Sequence, residues 1–147
     1  MLEAQGKPDE ALKSYADSLA IAERLAVSDR SNAELQNDVK YSAEKIGDLG
    51  HRFLLTRNFE KALEACELVI SVAPDKIWLR ANRAHALMFL GRADEARTVY
   101  LRYRAEKNVE GEKPWQTVIL QDFSELRKAG LSHPLMDEIQ ERFARGG

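Results

Sequence analysis

Two small residues that recur at a fixed interval constrain the fold more than any other feature of this sequence. Ala62 and Ala96 lie 34 positions apart, each within a helical pattern, and the segments around them align with each other. A helical hairpin has an apolar face that it cannot bury alone, and small residues allow a neighbouring hairpin to approach closely. A repeat of this length with two helices per unit therefore predicts an all-α chain of stacked antiparallel hairpins.

Apolar residues recur at spacings of three and four along most of the chain, which is the pattern of amphipathic helices. Pro74 and Gly91 mark two helix ends, because proline cannot continue a helix and glycine readily adopts the left-handed conformation that follows one. Asp75 is predicted to cap the fourth helix. The predicted helices span about 8–26, 33–55, 59–73, 76–90, 93–106 and 115–130, with a seventh beginning at Pro134.

Side chains of different sizes follow a recognisable order between residues 46 and 74. Large, small and aromatic residues lie in the first helix, and a small residue and a proline lie in the second: Ile46, Leu49, Gly50, Phe53, Ala62 and Pro74. In this order the segment resembles the tetratricopeptide repeat family. The next repeat departs from the family at Arg80 and Arg83, which stand at apolar positions. The resemblance covers about residues 6–103 and implies antiparallel hairpins stacked as a short right-handed solenoid.

The resemblance also implies how the chain is organised. A single domain over residues 1–147 would contain half a repeat, two repeats and two capping helices, at 1–28, 33–74, 76–107 and 114–147. Ala11 and Ala62 lie 51 positions apart rather than 34, which we interpret as elongated helices because the apolar stripe over residues 35–54 is unbroken. The last two helices keep a hairpin pattern without the motif, as terminal repeats often do.

Members of this family usually bind a peptide in a concave groove lined by the first helix of each repeat, and the family implies protein–protein interaction rather than catalysis. Carried over position by position, the groove residues would be Glu44, Asp48, His51, Trp78, Asn82, His85 and Phe89. Some members hold a carboxyl terminus with lysine, arginine and asparagine at these positions. Glu44 and Asp48 replace two of that set, so a chaperone-tail-binding role is not expected.

Trp78 and Asn82 have side chains well suited to binding. Tryptophan is enriched at interface hot spots, and the Asn82 carboxamide offers both the donor and the acceptor that a peptide backbone needs. The alternative is that Trp78 and Phe89 pack between repeats. Both interpretations are consistent with the sequence.

Residues for catalysis or metal binding are scarce. His51 and His85 also lie 34 positions apart and, with Asp48, would be near enough to share a metal ion, but no metal-binding motif supports this. Two groove histidines that contact peptide or water are the simpler interpretation. Cys66 is predicted to be a buried, inert thiol. We therefore predict no catalytic residue, no metal site and no cofactor.

Charge and composition limit the kinds of partner. The net charge is −2, and the basic stretch does not alternate with exposed aromatic residues as in known modules, so nucleic acid is not expected. Locally, residues 1–75 carry −5 and residues 76–104 carry +5, which would favour an acidic peptide or head-to-tail association, although an ordinary solvated face is simpler. A single cysteine, no membrane-spanning apolar stretch and no signal peptide predict a cytoplasmic protein without membrane contact.

The leading prediction is an adaptor that binds a protein segment, and the sequence leaves two alternative functions open. The first helix would lack its partner within the repeat, so Leu12, Tyr15 and Leu19 are expected on an exposed apolar face that a second copy would cover in a homodimer. The chain could also be a C-terminal regulatory segment of a larger enzyme or signalling protein, because it begins within a repeat and ends in helices that resemble a cap.

Overall fold

The computed structural model describes residues 8–29, 31–72, 74, 76–107, 109 and 112–146, and these residues form seven α-helices and no β-strand. The all-α prediction is confirmed for this part of the chain. The helices are α1 (Pro8–Ser28), α2 (Ala33–Leu55), α3 (Phe59–Val72), α4 (Trp78–Phe89), α5 (Ala93–Arg102), α6 (Trp115–Lys128) and α7 (Pro134–Ala144). Asp75, the predicted cap of α4, lies outside the described residues.

Two helices are shorter than their apolar patterns predict. Hydrogen bonds from Leu79 N to Lys76 O (3.1 Å) and from Arg80 N to Ile77 O (2.9 Å) span three residues, so the chain is wound more tightly just before α4 begins. α5 ends at Arg102 because the carbonyl of Tyr100 accepts a hydrogen bond from the Trp115 indole (2.8 Å). That contact draws the start of α6 against the end of α5.

The helices form two layers. Each of the first four contacts the next along the chain, and contacts between alternate helices connect α2 to α4, α4 to α6, α1 to α3 and α5 to α7. The even-numbered helices therefore lie on one side and the odd-numbered helices on the other. The core runs between the two layers, with Leu49, Phe53 and Leu87 fully buried in it.

Small residues set the distance between α2 and α3. A Cβ atom placed on Gly50 would lie 3.3 Å from Cys66 Sγ and 3.7 Å from Ala65 Cβ, which leaves no room for a larger side chain. Ala62 is fully buried in α3, and Ala96 is fully buried in α5. The two alanines of the 34-residue interval are thus both closely packed, one in α3 and the other in α5.

A hydrogen bond joins two turns that are distant in sequence. Arg57, in the turn between α2 and α3, has a left-handed backbone (φ 65°), and its guanidinium donates to the carbonyl of Gly130 at 3.3 Å. Gly130 ends α6 in the same left-handed region (φ 84°). The α2–α3 turn therefore lies beside the α6–α7 turn, although 73 residues separate them.

The prediction that Leu12, Tyr15 and Leu19 form an exposed apolar face on the first helix is wrong. Leu12 and Leu19 are buried, with exposed fractions of 5% and 1%, because α1 packs along α2, and Tyr15 is half-buried. The exposed apolar side chains of this region include Leu25 near the end of α1 and Tyr41 on α2. Among the described residues, no helix is both long and apolar enough to cross a membrane.

The close approach of α2 and α3 can be tested at Gly50. We expect Gly50→Leu to lower the free energy of unfolding by about 1–3 kcal/mol, because its side chain would overlap Cys66 and Ala65. Gly50→Ala is the matched control: its helix propensity, better by about 1 kcal/mol, offsets the tight contact with Cys66, so the net change should be small. Urea unfolding followed by circular dichroism gives both values. Equal stability of the two variants would contradict this packing.

Candidate functional site

The side of the molecule formed by α2, α4 and α6 contains an open cavity of about 440 Å³, which we call the large cavity. Its volume lies in the range of ordinary ligand pockets. Polar and charged side chains from all three helices line it, together with Lys113 from the segment before α6. The lining residues are Gly47, Asp48, His51, Arg52, Trp78, Asn82, Lys113, Val118, Gln121, Asp122 and Glu125.

A second cavity, of about 170 Å³, lies on the other side of Trp78, and we call it the small cavity. Its lining is mostly apolar, with charged groups that include Lys40 and Lys76. The lining residues are Gln36, Val39, Lys40, Ala43, Glu44, Val69, Val72, Lys76, Trp78 and Leu79. Trp78 belongs to both linings, so its indole separates the two cavities.

Glycine at position 47 explains where the indole lies. A Cβ atom on Gly47 would be 2.7 Å from Trp78 Cη2, so the ring occupies the space that any other residue would fill. Trp78 is consequently half-buried against α2, and part of it remains accessible from the groove. The packing and groove interpretations of Trp78 are therefore compatible.

Contacts between α2 and α6 narrow the groove at the carboxyl ends of these helices. His51 Nε2 lies 3.9 Å from Glu125 Oε2, and both residues line the large cavity. The hydrogen bond between Arg57 and Gly130 lies beyond them, in the adjoining turns. A ligand in the large cavity is therefore confined at this end and open toward solvent along the groove.

Asn82 is the most deeply buried polar group directed at the large cavity. Only 6% of it is exposed, and its carboxamide makes no hydrogen bond to any other residue that the structure describes. Its side-chain oxygen and nitrogen remain accessible to water from the cavity, since neither is a fully buried atom without a partner. Asn82 is thus ready to bond with a molecule that enters the cavity.

His85 lies beneath the groove rather than on its surface. It is 1% exposed, and its ring nitrogens lie 2.6 Å (Nδ1) from the Tyr100 hydroxyl and 3.0 Å (Nε2) from Asp122 Oδ2. One arrangement satisfies every group: the Tyr100 hydroxyl donates to Nδ1, and Nε2–H donates to the carboxylate. The three residues belong to α4, α5 and α6, so this buried trio fixes the position of α6.

The trio has the order of a proton relay but lacks an accessible nucleophile. Tyr100 is fully buried, and burial, with the charge of Asp122, raises its pKa well above the usual value of 10. The phenol therefore keeps its proton and acts as a hydrogen-bond donor. Phe123 packs against it at 5.4 Å between ring centroids. What the trio provides is a fixed Asp122 carboxylate, 23% exposed, at the wall of the large cavity.

The idea that His51 and His85 share a metal ion does not fit this geometry, because both ring nitrogens of His85 already have partners. No cluster of three or more histidine, cysteine or acidic residues suited to a metal ion occurs in the described ranges. The predicted inert thiol lies in the core: Cys66 is fully buried, and burial raises its pKa to about 12.

The other predicted groove residues divide between the two cavities and the core. Asp48 and His51 line the large cavity, and Glu44 lines the small cavity. Phe89 lines neither; its ring stacks on Phe59 with centroids 4.9 Å apart, which packs the end of α4 on the start of α3. For Phe89 the structure agrees with the packing interpretation.

The residues that α6 contributes were not predicted, because that helix was assigned only as part of a cap. Asp122 and Glu125 line the large cavity and account for two of its three carboxylates. A signal for them is present in the sequence: Trp115 follows Trp78 by 37 positions, and Asp122 follows His85 by the same interval. Aligning the sequence around Trp115 with that around Trp78 would have put Asp122 at the position that corresponds to His85.

Comparison with known proteins assigns no family to this geometry. No protein-family model matches the chain, and searches of curated proteins and of solved structures found no significant match. The resemblance to the tetratricopeptide family therefore depends on the residues themselves.

Removing the Tyr100 hydroxyl tests the buried trio. We expect Tyr100→Phe to lower the free energy of unfolding by about 1–3 kcal/mol, because Nδ1 of His85 would lose its partner in a dry environment. Tyr103→Phe is the matched control, since the Tyr103 hydroxyl has no hydrogen bond to any described residue, and it should change stability by less than about 0.5 kcal/mol. If both substitutions cost the same in chemical denaturation, the trio is not formed.

Proposed function

We propose that this chain is a tetratricopeptide-like module that binds an extended segment of another protein in the groove formed by α2, α4 and α6. The observation that carries the proposal is the carboxamide of Asn82, a residue only 6% exposed, which faces the large cavity without a partner among the described residues. An extended peptide segment has free backbone N–H and C=O groups, which are the groups that a carboxamide can bond at the same time.

Packing supports the repeat assignment. Helices alternate between two layers, and Ala62 in α3 and Ala96 in α5, 34 positions apart, are both fully buried. Stacked hairpins of this kind create an extended concave surface, which for this chain would be the side of α2, α4 and α6. We propose a short right-handed solenoid on this basis, and the free, buried thiol of Cys66 is compatible with the reducing cytoplasm.

The division of the groove by Trp78 supports a segment that binds in two adjacent places. The small cavity has an apolar floor that includes Val69 and Leu79, and the large cavity is polar. A segment that crosses Trp78 would place an apolar side chain in the first and a polar one in the second. Its backbone would lie near Asn82, and the accessible part of the indole would provide apolar contact area.

This proposal can be tested by selecting binders from a display library of random peptides and measuring their affinities by fluorescence polarisation. We expect Asn82→Ala to weaken the selected peptides by about ten-fold, the loss of one to two buried hydrogen bonds. Stability should stay within about 1 kcal/mol of wild type, because the carboxamide has no partner to lose in the free protein.

Asn37→Ala is the matched control, since Asn37 is exposed on α2 and lines neither cavity. His85→Ala is unsuitable as a groove variant because His85 belongs to the buried trio. Peptides that bind wild type, Asn82→Ala and Asn37→Ala equally would show that binding occurs elsewhere. A library that gives no binder would contradict the proposal itself.

Self-association is a second candidate function, and exposed apolar side chains near the end of α1 favour it. Ile21, Leu25 and Tyr41 are each about half exposed and line a cavity of about 380 Å³ between α1 and α2. Exposed apolar groups gathered in this way often mark an interface. A second copy that covers them with the same face would form a two-fold dimer.

Light scattering over a range of concentrations decides between a monomer and this dimer. If the face pairs two copies, Leu25→Ser/Tyr41→Ser should shift the protein toward monomer, because two buried apolar side chains are lost from each copy. Leu55→Ser, at an exposed apolar residue that lines none of the three cavities, is the control and should leave the mass unchanged. A wild-type monomer at every concentration would exclude the dimer.

A further inference from the structure

Carboxylates outnumber cationic side chains in the large cavity, with Asp48, Asp122 and Glu125 on its walls against Arg52 and Lys113. The three carboxylates come from α2 and α6 and face a common space. Asp48 and Glu125 are exposed and Asp122 is 23% exposed, so water screens these charges in part and a ligand can reach all three. The sign of the uncompensated charge therefore decides which ligand groups it favours.

The carboxylates are weakly compensated within the protein. Asp48 has neither a hydrogen bond nor an ion pair with any described residue, and Glu125 has only the 3.9 Å contact with His51. Asp122 receives a hydrogen bond on Oδ2 from His85, and its other oxygen has no partner within the same ranges. Each of the three can accept further hydrogen bonds from a ligand.

The two cations of the cavity are engaged. Lys113 Nζ lies 3.5 Å from Gln121 Oε1, and Arg52 has an interaction partner of its own. Neither forms an ion pair with Asp48, although all of them line one cavity. Three carboxylates against two cations still leave the cavity lining with one uncompensated negative charge.

Asn82 is a second, independent indication that the cavity favours a ligand with hydrogen-bond donors. Its oxygen adds a neutral acceptor between the carboxylates of α2 and α6, and the residue is only 6% exposed and has no partner in the described chain. A ligand group that satisfies these acceptors together must carry several N–H donors and a positive charge. A guanidinium has five donors in a fixed plane, whereas an ammonium has three around one point.

We propose that the protein segment bound in this groove carries an arginine whose guanidinium enters the large cavity and pairs with Asp48 and Asp122, with Asn82 as a further acceptor. The inference rests on the proposed binding function and specifies its ligand. The buried trio contributes by holding the Asp122 carboxylate at the cavity wall, so that little ordering is needed when the ligand arrives. Lysine is the weaker alternative at this position because it offers one charge centre and fewer directed donors.

The test uses three pools of fluorescent hexapeptides that differ only at one fixed central position, with all other positions randomised. The central residue is arginine, citrulline or glutamate. Citrulline has nearly the shape of arginine, but it is uncharged and a carbonyl oxygen replaces one NH2 group, so it measures the loss of the ion pair together with that donor group. We expect the arginine pool to bind at least about ten-fold more tightly than the citrulline pool, and the glutamate pool to bind most weakly.

Asp48→Asn should reduce the affinity for the arginine pool by about ten-fold and leave the citrulline pool unchanged. Asp17→Asn is the matched control, because Asp17 is an exposed carboxylate on α1 that lines neither groove cavity. This control should leave all three affinities unchanged. Both variants keep the length and shape of the side chain, and circular dichroism verifies that the fold is intact.

Outcomes for the two proposals are distinguishable. If the arginine and citrulline pools bind equally and both depend on Asn82, the groove binds peptides and the arginine inference is overturned. If the glutamate pool binds best, the cavity accepts anions and the inference is likewise overturned. If no pool binds, both the binding function and the inference fail.

Discussion

The close approach of neighbouring helices at small residues is the constraint on which the rest of the structure depends. At Gly50 it brings α3 against α2, and at Gly47 it admits the indole of Trp78. Without a side chain at position 47, one ring can both complete the core and divide the groove into an apolar and a polar cavity. The glycines of α2 thus determine both the helix packing and the shape of the binding surface. A substitution that changes one of these would also change the other.

Polar interactions then decide what the groove presents. The bond from His85 to Asp122 connects the fully buried layer to the cavity wall, and the hydroxyl of Tyr100 satisfies the opposite ring nitrogen. Buried polar networks are tolerated when every member has a partner, and this one does. Asn82, which precedes His85 by one turn of α4, has no such partner among the described residues. His85 therefore serves the structure, whereas Asn82 is available to a ligand.

The sequence predicts the class of fold well and the site in part. The 34-residue interval and the apolar spacing identify all seven helices, and α2 begins and ends at the predicted residues. The burial of His85 could not be read from its own surroundings in sequence, because its partners Tyr100 and Asp122 are brought to it by tertiary packing. The same applies to α1, since its apolar stripe gave no indication that packing on its neighbours would bury Leu12 and Leu19.

The hydrogen bond from Arg57 to Gly130 has a mechanical consequence. The bond connects the α2–α3 turn to the α6–α7 turn, at one edge of the side formed by α2, α4 and α6. By joining the two turns at one edge, the bond resists widening there, although an exposed bond of this type contributes only about 1 kcal/mol. Movement of α6 away from α2 at this edge would therefore break the bond.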